Sequence, residues 1–115
     1  MKKWSSILSL DKSLTLRRGA LLKFPSMYPF EDKTIVMICE NRGNSEMPVN
    51  LIVITGHKAG INPLQNLPSE CLSINGGLSL DWLITNWQKW VYPECNVENV
   101  MVKTDPLVVE QLELL

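Results

Sequence analysis

The sequence predicts an α+β domain in which a small antiparallel, barrel-like β-sheet carries one packed α-helix at about residues 80–91. Three observations predict it. Thr34–Cys39 and Val49–Thr55 are β-branched, apolar runs, too short and too branched for helices. Only Leu80–Val91 combines helical periodicity with a start and a stop. Strand-like segments lie on both sides of that helix, an order that suits an antiparallel sheet with one helix laid on it.

Taken in order, Leu14-Thr15-Leu16 is a short alternating segment, and Arg17-Arg18-Gly19 turns the chain into a strand at Ala20–Phe24. Pro25–Asp32, with Pro25 and Pro29, reads as loop. Lys33–Glu40 is the clearest strand, and Val49–Thr55 is its antiparallel partner across a polar loop long enough to be mobile. Both strands hold continuous apolar runs, Ile35–Cys39 and Leu51–Ile54, which predicts cover on both faces. Residues 61–70, with Pro63 and Pro68, read as an irregular connection. Cys71–Ile74 reads as a short strand closed by the turn Asn75-Gly76-Gly77. Ser79 is the expected N-cap of the helix, Asp81 suits its positive end, and Pro93 stops it. Leu80, Leu83, Ile84, Trp87 and Val91 share its apolar face. Val97–Lys103 reads as a last strand, and the tail Leu107–Leu115 is open between strand and helix.

A chain of 115 residues is one domain by length, and one that size buries roughly two-thirds of its unfolded surface. At 45% apolar and 20% charged it belongs with globular proteins rather than disordered ones. A net charge of −1 gives no whole-molecule attraction to nucleic acid or membrane. The charge is uneven, however: residues 1–24 sum to +5 and residues 94–115 to −4, as if the two ends lay together. Nothing resembles a signal peptide or a membrane span, so the expected compartment is the cytoplasm. Cys39, Cys71 and Cys95 form no close pair and no C-x-x-C, which fits a reducing compartment and small buried thiols.

Chemistry is hard to find in these residues. With His57 as the single histidine, any nucleophile–base scheme must use it, yet it sits in the glycine-bounded turn Gly56–Gly60. A zinc site would need all three thiolates and that imidazole gathered from scattered positions. Glu31-Asp32 and Glu94 near Glu98 lie in polar, turn-rich contexts where solvated carboxylates belong. The expectation is a binding protein with no catalytic residues, no metal and no cofactor.

The tryptophans carry more information. On a helical wheel from Leu80, Trp87 falls within the apolar stripe and Trp90 at its boundary, while Trp82 falls opposite, beside Asn86 and Lys89. Trp82 is therefore either covered by another segment or exposed as an interface anchor.

The helix and its flanks, Asp81-Trp82-Leu83-Ile84-Thr85-Asn86-Trp87-Gln88-Lys89-Trp90-Val91-Tyr92-Pro93 and then Val97-Glu98-Asn99-Val100, resemble the bacterial immunity protein 45 family of polymorphic-toxin systems. Arg18-Gly19, Phe24-Pro25 and Leu51–Gly60 are similar to that family's pattern as well, so the resemblance runs from about Leu14 to Val102. It implies a protein made beside a secreted toxin, binding that toxin's C-terminal domain and protecting the producing cell. It supplies no catalytic residue. The alternative from another class is a small β-barrel module binding nucleic acid or peptide.

Within the immunity reading the expected partner is the cognate toxin domain, with no nucleic acid, no membrane and no indication of a homo-oligomer. Toxins that attack nucleic acid are basic around the cleft, so the candidate contacts are acids and acceptors: Glu40, Asn41, Glu46, Glu94 and Glu98, with Trp82 and Tyr92 as aromatic anchors. The opposite arrangement makes those carboxylates a solvated rim and gives the contact to Arg17, Arg18 and Lys23.

Overall fold

Along the longest strand, Thr34, Val36 and Ile38 are buried while Ile35, Met37 and Cys39 are only half-buried, so one face of the sheet makes the core. The computed structural model describes residues 4–27, 30, 32–60 and 63–105. The tail expectation for 107–115 lies outside them. The elements are β1 (Ser5–Ser6), β2 (Thr15–Leu16), β3 (Leu21–Pro25), β4 (Lys33–Glu40), β5 (Val49–Val53), β6 (Pro63–Leu67), β7 (Leu78–Ser79), α1 (Leu80–Trp90) and β8 (Met101–Lys103), with short 3-10 turns between them.

Six strands form one antiparallel sheet in the order β1-β8-β3-β4-β5-β6, and β2 pairs with β7 in a separate ribbon. The α+β class is as expected, but the sheet is open, with β1 and β6 at its two edges, so the barrel-like closure is corrected. Lys33–Glu40 and its partner pair antiparallel as expected, with Ile38 opposite Leu51 and Val36 opposite Val53. Cover on both faces is corrected as well. The one α-helix among the described residues lies on the Phe24 side of the sheet, and Ile35, Met37 and Ile52 on the other side stay half-buried. Segments near the two ends do pair, Ser5 of β1 standing opposite Val102 of β8, while Lys2, Lys3, Glu110 and Glu113 lie outside the described residues.

Three local readings change. Pro63–Leu67 is a strand, not an irregular connection. Its prolines stand at its first position and just past its end, where each removes an N–H from the rim of the ladder rather than its middle. Cys71–Ile74 is not a strand: Ser69–Cys71 is a 3-10 turn, and only Leu72 bridges, to Leu78. Val97–Asn99 is likewise a 3-10 turn, and the strand begins at Met101. Pro25, expected in a loop, closes β3 opposite Lys33.

The helix follows its sequence signals closely. The Ser79 hydroxyl accepts from the Trp82 N–H at 3.2 Å, the N-cap bond that satisfies one of the first-turn donors. Leu80, Leu83 and Trp87 are buried, and Ile84 is half-buried against the same core. Phe24 of β3 meets the Trp87 ring edge-on at 5.1 Å and the Tyr92 ring at the same distance, tying helix to sheet.

Candidate functional site

The five expected acidic and acceptor positions do not form one surface. Glu40 ends β4 and Asn41 follows it, whereas Lys33, at the other end of that strand, pairs with Pro25, beside the Tyr92–Glu94 turn. Seven strand steps of about 3.3 Å separate the two ends, so Glu40 and Glu94 stand on the order of 23 Å apart along the sheet. Glu94 and Glu98 are both exposed, and Asn99, next to Glu98, borders the same small hollow as Glu94. Two separate surfaces replace the single one expected.

Tyr92 belongs to neither. It is 6% exposed, packed on Phe24 and Phe30, and its hydroxyl accepts from the Met27 N–H at 3.1 Å. Its expected role as a surface anchor is corrected to a core role, because the Tyr92 N–H bonds back to the Trp87 carbonyl at 3.2 Å and the ring lies on Phe24 and Phe30. Trp82 is half-buried, between the two alternatives weighed for it. Its ring leans on Trp90 with centroids 6.1 Å apart, across the intervening Asn86, whose amide donates to the Trp82 carbonyl at 2.9 Å. The i, i+4, i+8 spacing makes 82, 86 and 90 one ridge on the helix flank, and each ring covers part of the other.

At the opposite end Glu40 is not a free carboxylate. Its Oε1 accepts from Arg18 at 2.8 Å and its Oε2 from the Arg42 Nε at 2.9 Å. Hydrogen bonds from Arg42, then Arg18, hold its carboxyl below the usual range. All three side chains are exposed, so the cluster organises the surface more than it stabilises the fold. The following loop, expected to be mobile, is internally braced. The Asn41 amide donates to the Met47 carbonyl at 3.0 Å, Asn44 Oδ1 accepts from the N–H groups of Glu46 and Met47, and the Glu46 carbonyl accepts from the Ser69 N–H.

This loop is one wall of a groove of about 950 Å³. The other wall is Asn75–Gly77, from the turn between Leu72 and Leu78, with those two leucines beside it. Buried Leu16, Ile38 and Val49 lie beneath, and Arg17, Arg18, Glu40 and Arg42 are the charged groups of the lining. Gly77 lets the turn press against β2, since a Cβ there would overlap Thr15 Cγ2 and lie 3.0 Å from the Leu16 carbonyl oxygen. The Arg17 guanidinium donates to the Asn75 carbonyl at 3.3 Å, and Thr15 Oγ1 donates to Ser73 Oγ at 2.9 Å, fixing the turn's near side. At its tip Ile74 is 100% exposed. Sequence reading had placed Ile74 in a strand. The signal that finds it is an isoleucine one residue before Asn-Gly-Gly, inside the turn itself.

Groups suited to catalysis are not gathered anywhere described. His57 is exposed in its 3-10 turn. Cys71 and Cys95 are buried and Cys39 half-buried, all free thiols. Desolvation pushes Cys71 up to about 11 and raises the other two, so all three favour the protonated form rather than the reactive thiolate. Among the described residues no three His, Cys, Asp or Glu side chains stand close enough together to hold a metal ion. No helix there is long and apolar enough to cross a membrane.

The described residues thus form an open sheet with one covering helix and an exposed, charged groove at one end. A family model described as immunity protein 45 matches residues 8–102, and with it the class is that of the immunity proteins. The chain belongs to the immunity protein 45 family. No curated protein and no solved structure gives a match.

Proposed function

We propose that this protein neutralises a cognate secreted toxin by binding the toxin's C-terminal domain and occluding it, in the cytoplasm of the cell that makes both. The family match over residues 8–102 carries the reading. Occlusion asks for a firm, shaped surface and no chemistry of the inhibitor's own, which agrees with raised thiol pKa values. Of the expected contact residues, Glu40, Asn41 and Glu46 stay together in one region, Glu94 and Glu98 form a second, and Trp82 with Trp90 a third.

The test is co-expression with the C-terminal domain of the toxin encoded beside it. Cells carrying both should survive, and the two purified chains should run as one complex. Death of those cells, with no complex detected between well-folded partners, would end the proposal.

A further inference from the structure

The groove between the 41–48 loop and the 73–77 turn differs in charge from the rest of the chain. Its lining carries three guanidiniums, Arg17, Arg18 and Arg42, against the single carboxylate of Glu40, a local balance of +2 in a chain whose net charge is −1. Glu40 draws Arg18 and Arg42 to its two oxygens, one nitrogen from each. Their remaining N–H groups have no partner among the described residues, and both side chains border the groove. Two long side chains are thus held part-way to a binding geometry before any partner arrives, which lowers the entropy lost on docking.

A second, separate observation marks the same place. Ile74 is 100% exposed at the tip of the turn that walls the groove, a position that gains nothing for the fold. Half-buried Leu72 and Pro48 line the groove over a buried apolar floor. An exposed apolar side chain next to a groove-lining turn, with paired guanidiniums on the same groove, is the composition of an interface centre.

We infer that this groove is the toxin-docking site, and that its occupant is an acidic segment of the toxin domain. A carboxylate of that segment is received by Arg42 and Arg18, and an apolar side chain packs against Ile74. The inference rests on the proposed immunity function and reverses the acidic contact surface that sequence alone favours. A nucleic-acid strand suits the groove less well, because the Glu40 carboxylate stands between the two arginines where a line of phosphates would pass.

The experiment measures affinity for the cognate toxin domain, and protection of cells expressing it, for wild type, Ile74→Asp, Arg42→Glu and the pair Glu94→Lys/Glu98→Lys. All changed side chains are exposed, so equal melting temperatures are expected and are checked first. Ile74→Asp and Arg42→Glu should each weaken binding by about tenfold or more, as truncated interface anchors do. The distal pair should bind within about twofold of wild type. Restoration of Arg42→Glu by a carboxylate-to-lysine change in the toxin identifies the acidic contact directly. Wild-type affinity in both groove variants, with loss in the distal pair, overturns the inference and leaves the immunity function standing. Groove-dependent binding of an oligonucleotide with no toxin present overturns it too. Failure of the wild-type protein to bind or protect overturns the function itself.

Discussion

The indole N–H of Trp87 donates to the carbonyl oxygen of Cys95 at 2.9 Å, in the fully buried centre of the molecule. One side chain thereby joins the last turn of α1 to the chain that returns beneath it, while its ring meets Phe24 of the sheet. Trp87→Ala should cost about 3–5 kcal/mol, as large aromatic deletions from cores do. Trp87→Phe restores much of the volume and leaves the Cys95 carbonyl without its donor, a loss of about 1–3 kcal/mol. Urea denaturation of the two variants checks the order. Equal losses would mean that the bond to Cys95, lost in both variants, and not the ring's packing, holds this junction.

Gly77 makes a sharper test of the ribbon. A Cβ there meets Thr15 Cγ2 and the Leu16 carbonyl, and Thr15 is β-branched with its hydroxyl already engaged, so neither neighbour yields easily. Gly77→Ala should therefore destabilise by about 1–3 kcal/mol, the usual range for overpacking. Gly76, one residue earlier, has φ of +91° with open space around its Cβ position. Gly76→Ala should pay only the left-handed backbone cost of about 1–2 kcal/mol. Thermal melts compare them. Only the Gly77 variant should also disturb the resonances of Thr15 and Leu16.

What the sequence made legible follows a physical division. β4, β5 and α1 were readable because their signals are local: β-branched runs, a capping serine, a 3.6-residue apolar stripe. β6 was not, because Pro-Leu-Gln-Asn-Leu has little strand character and is made a strand by the β5 edge it joins. Barrel closure was over-read from apolar runs, which cannot distinguish a buried second face from a half-buried one. At the site, Glu40 is exposed and Asn41 half-buried. Their meaning depended on Arg18, twenty-two residues earlier, and on a turn some thirty residues later. Charge sign along a chain does not reveal which charges will neutralise one another.

The thiols predict a pH dependence with a definite sign. Desolvation first, and the nearby Glu70 carboxylate last, raise Cys71 from 9.0 to about 11, while its own backbone N–H works the other way. Between those values the unfolded chain loses the proton and the folded chain keeps it. The contribution of Cys71 is thus whole below pH 9 and is lost as pH rises toward 11. Stability measured across that window should fall less steeply in Cys71→Ala than in wild type. At neutral pH, alkylation should reach half-buried Cys39 before Cys71 or Cys95, and a chelator should leave the melting temperature unchanged. A chelator-induced transition would show that the thiols do gather around a metal.

Salt separates the modes of recognition open to the groove. Arg18 and Arg42 keep 63% and 78% of their side-chain surface exposed, so their field reaches an approaching acidic segment through water. That field is screened beyond about 8 Å at physiological ionic strength and beyond about 3 Å at 1 M. Raising salt from about 0.05 to 0.5 M should therefore slow association with the toxin domain by roughly tenfold or more. Dissociation, governed by the packing of Ile74 and the desolvated ion pairs once the groove is filled, should change little. Counterion release from a nucleic-acid strand behaves differently, since each neutralised phosphate adds to a linear fall of log affinity with log salt. Rapid-mixing measurement of both rate constants decides between them. A salt effect carried mainly by dissociation would mean that the arginines remain solvated in the complex and that the apolar rim is not the part that holds it.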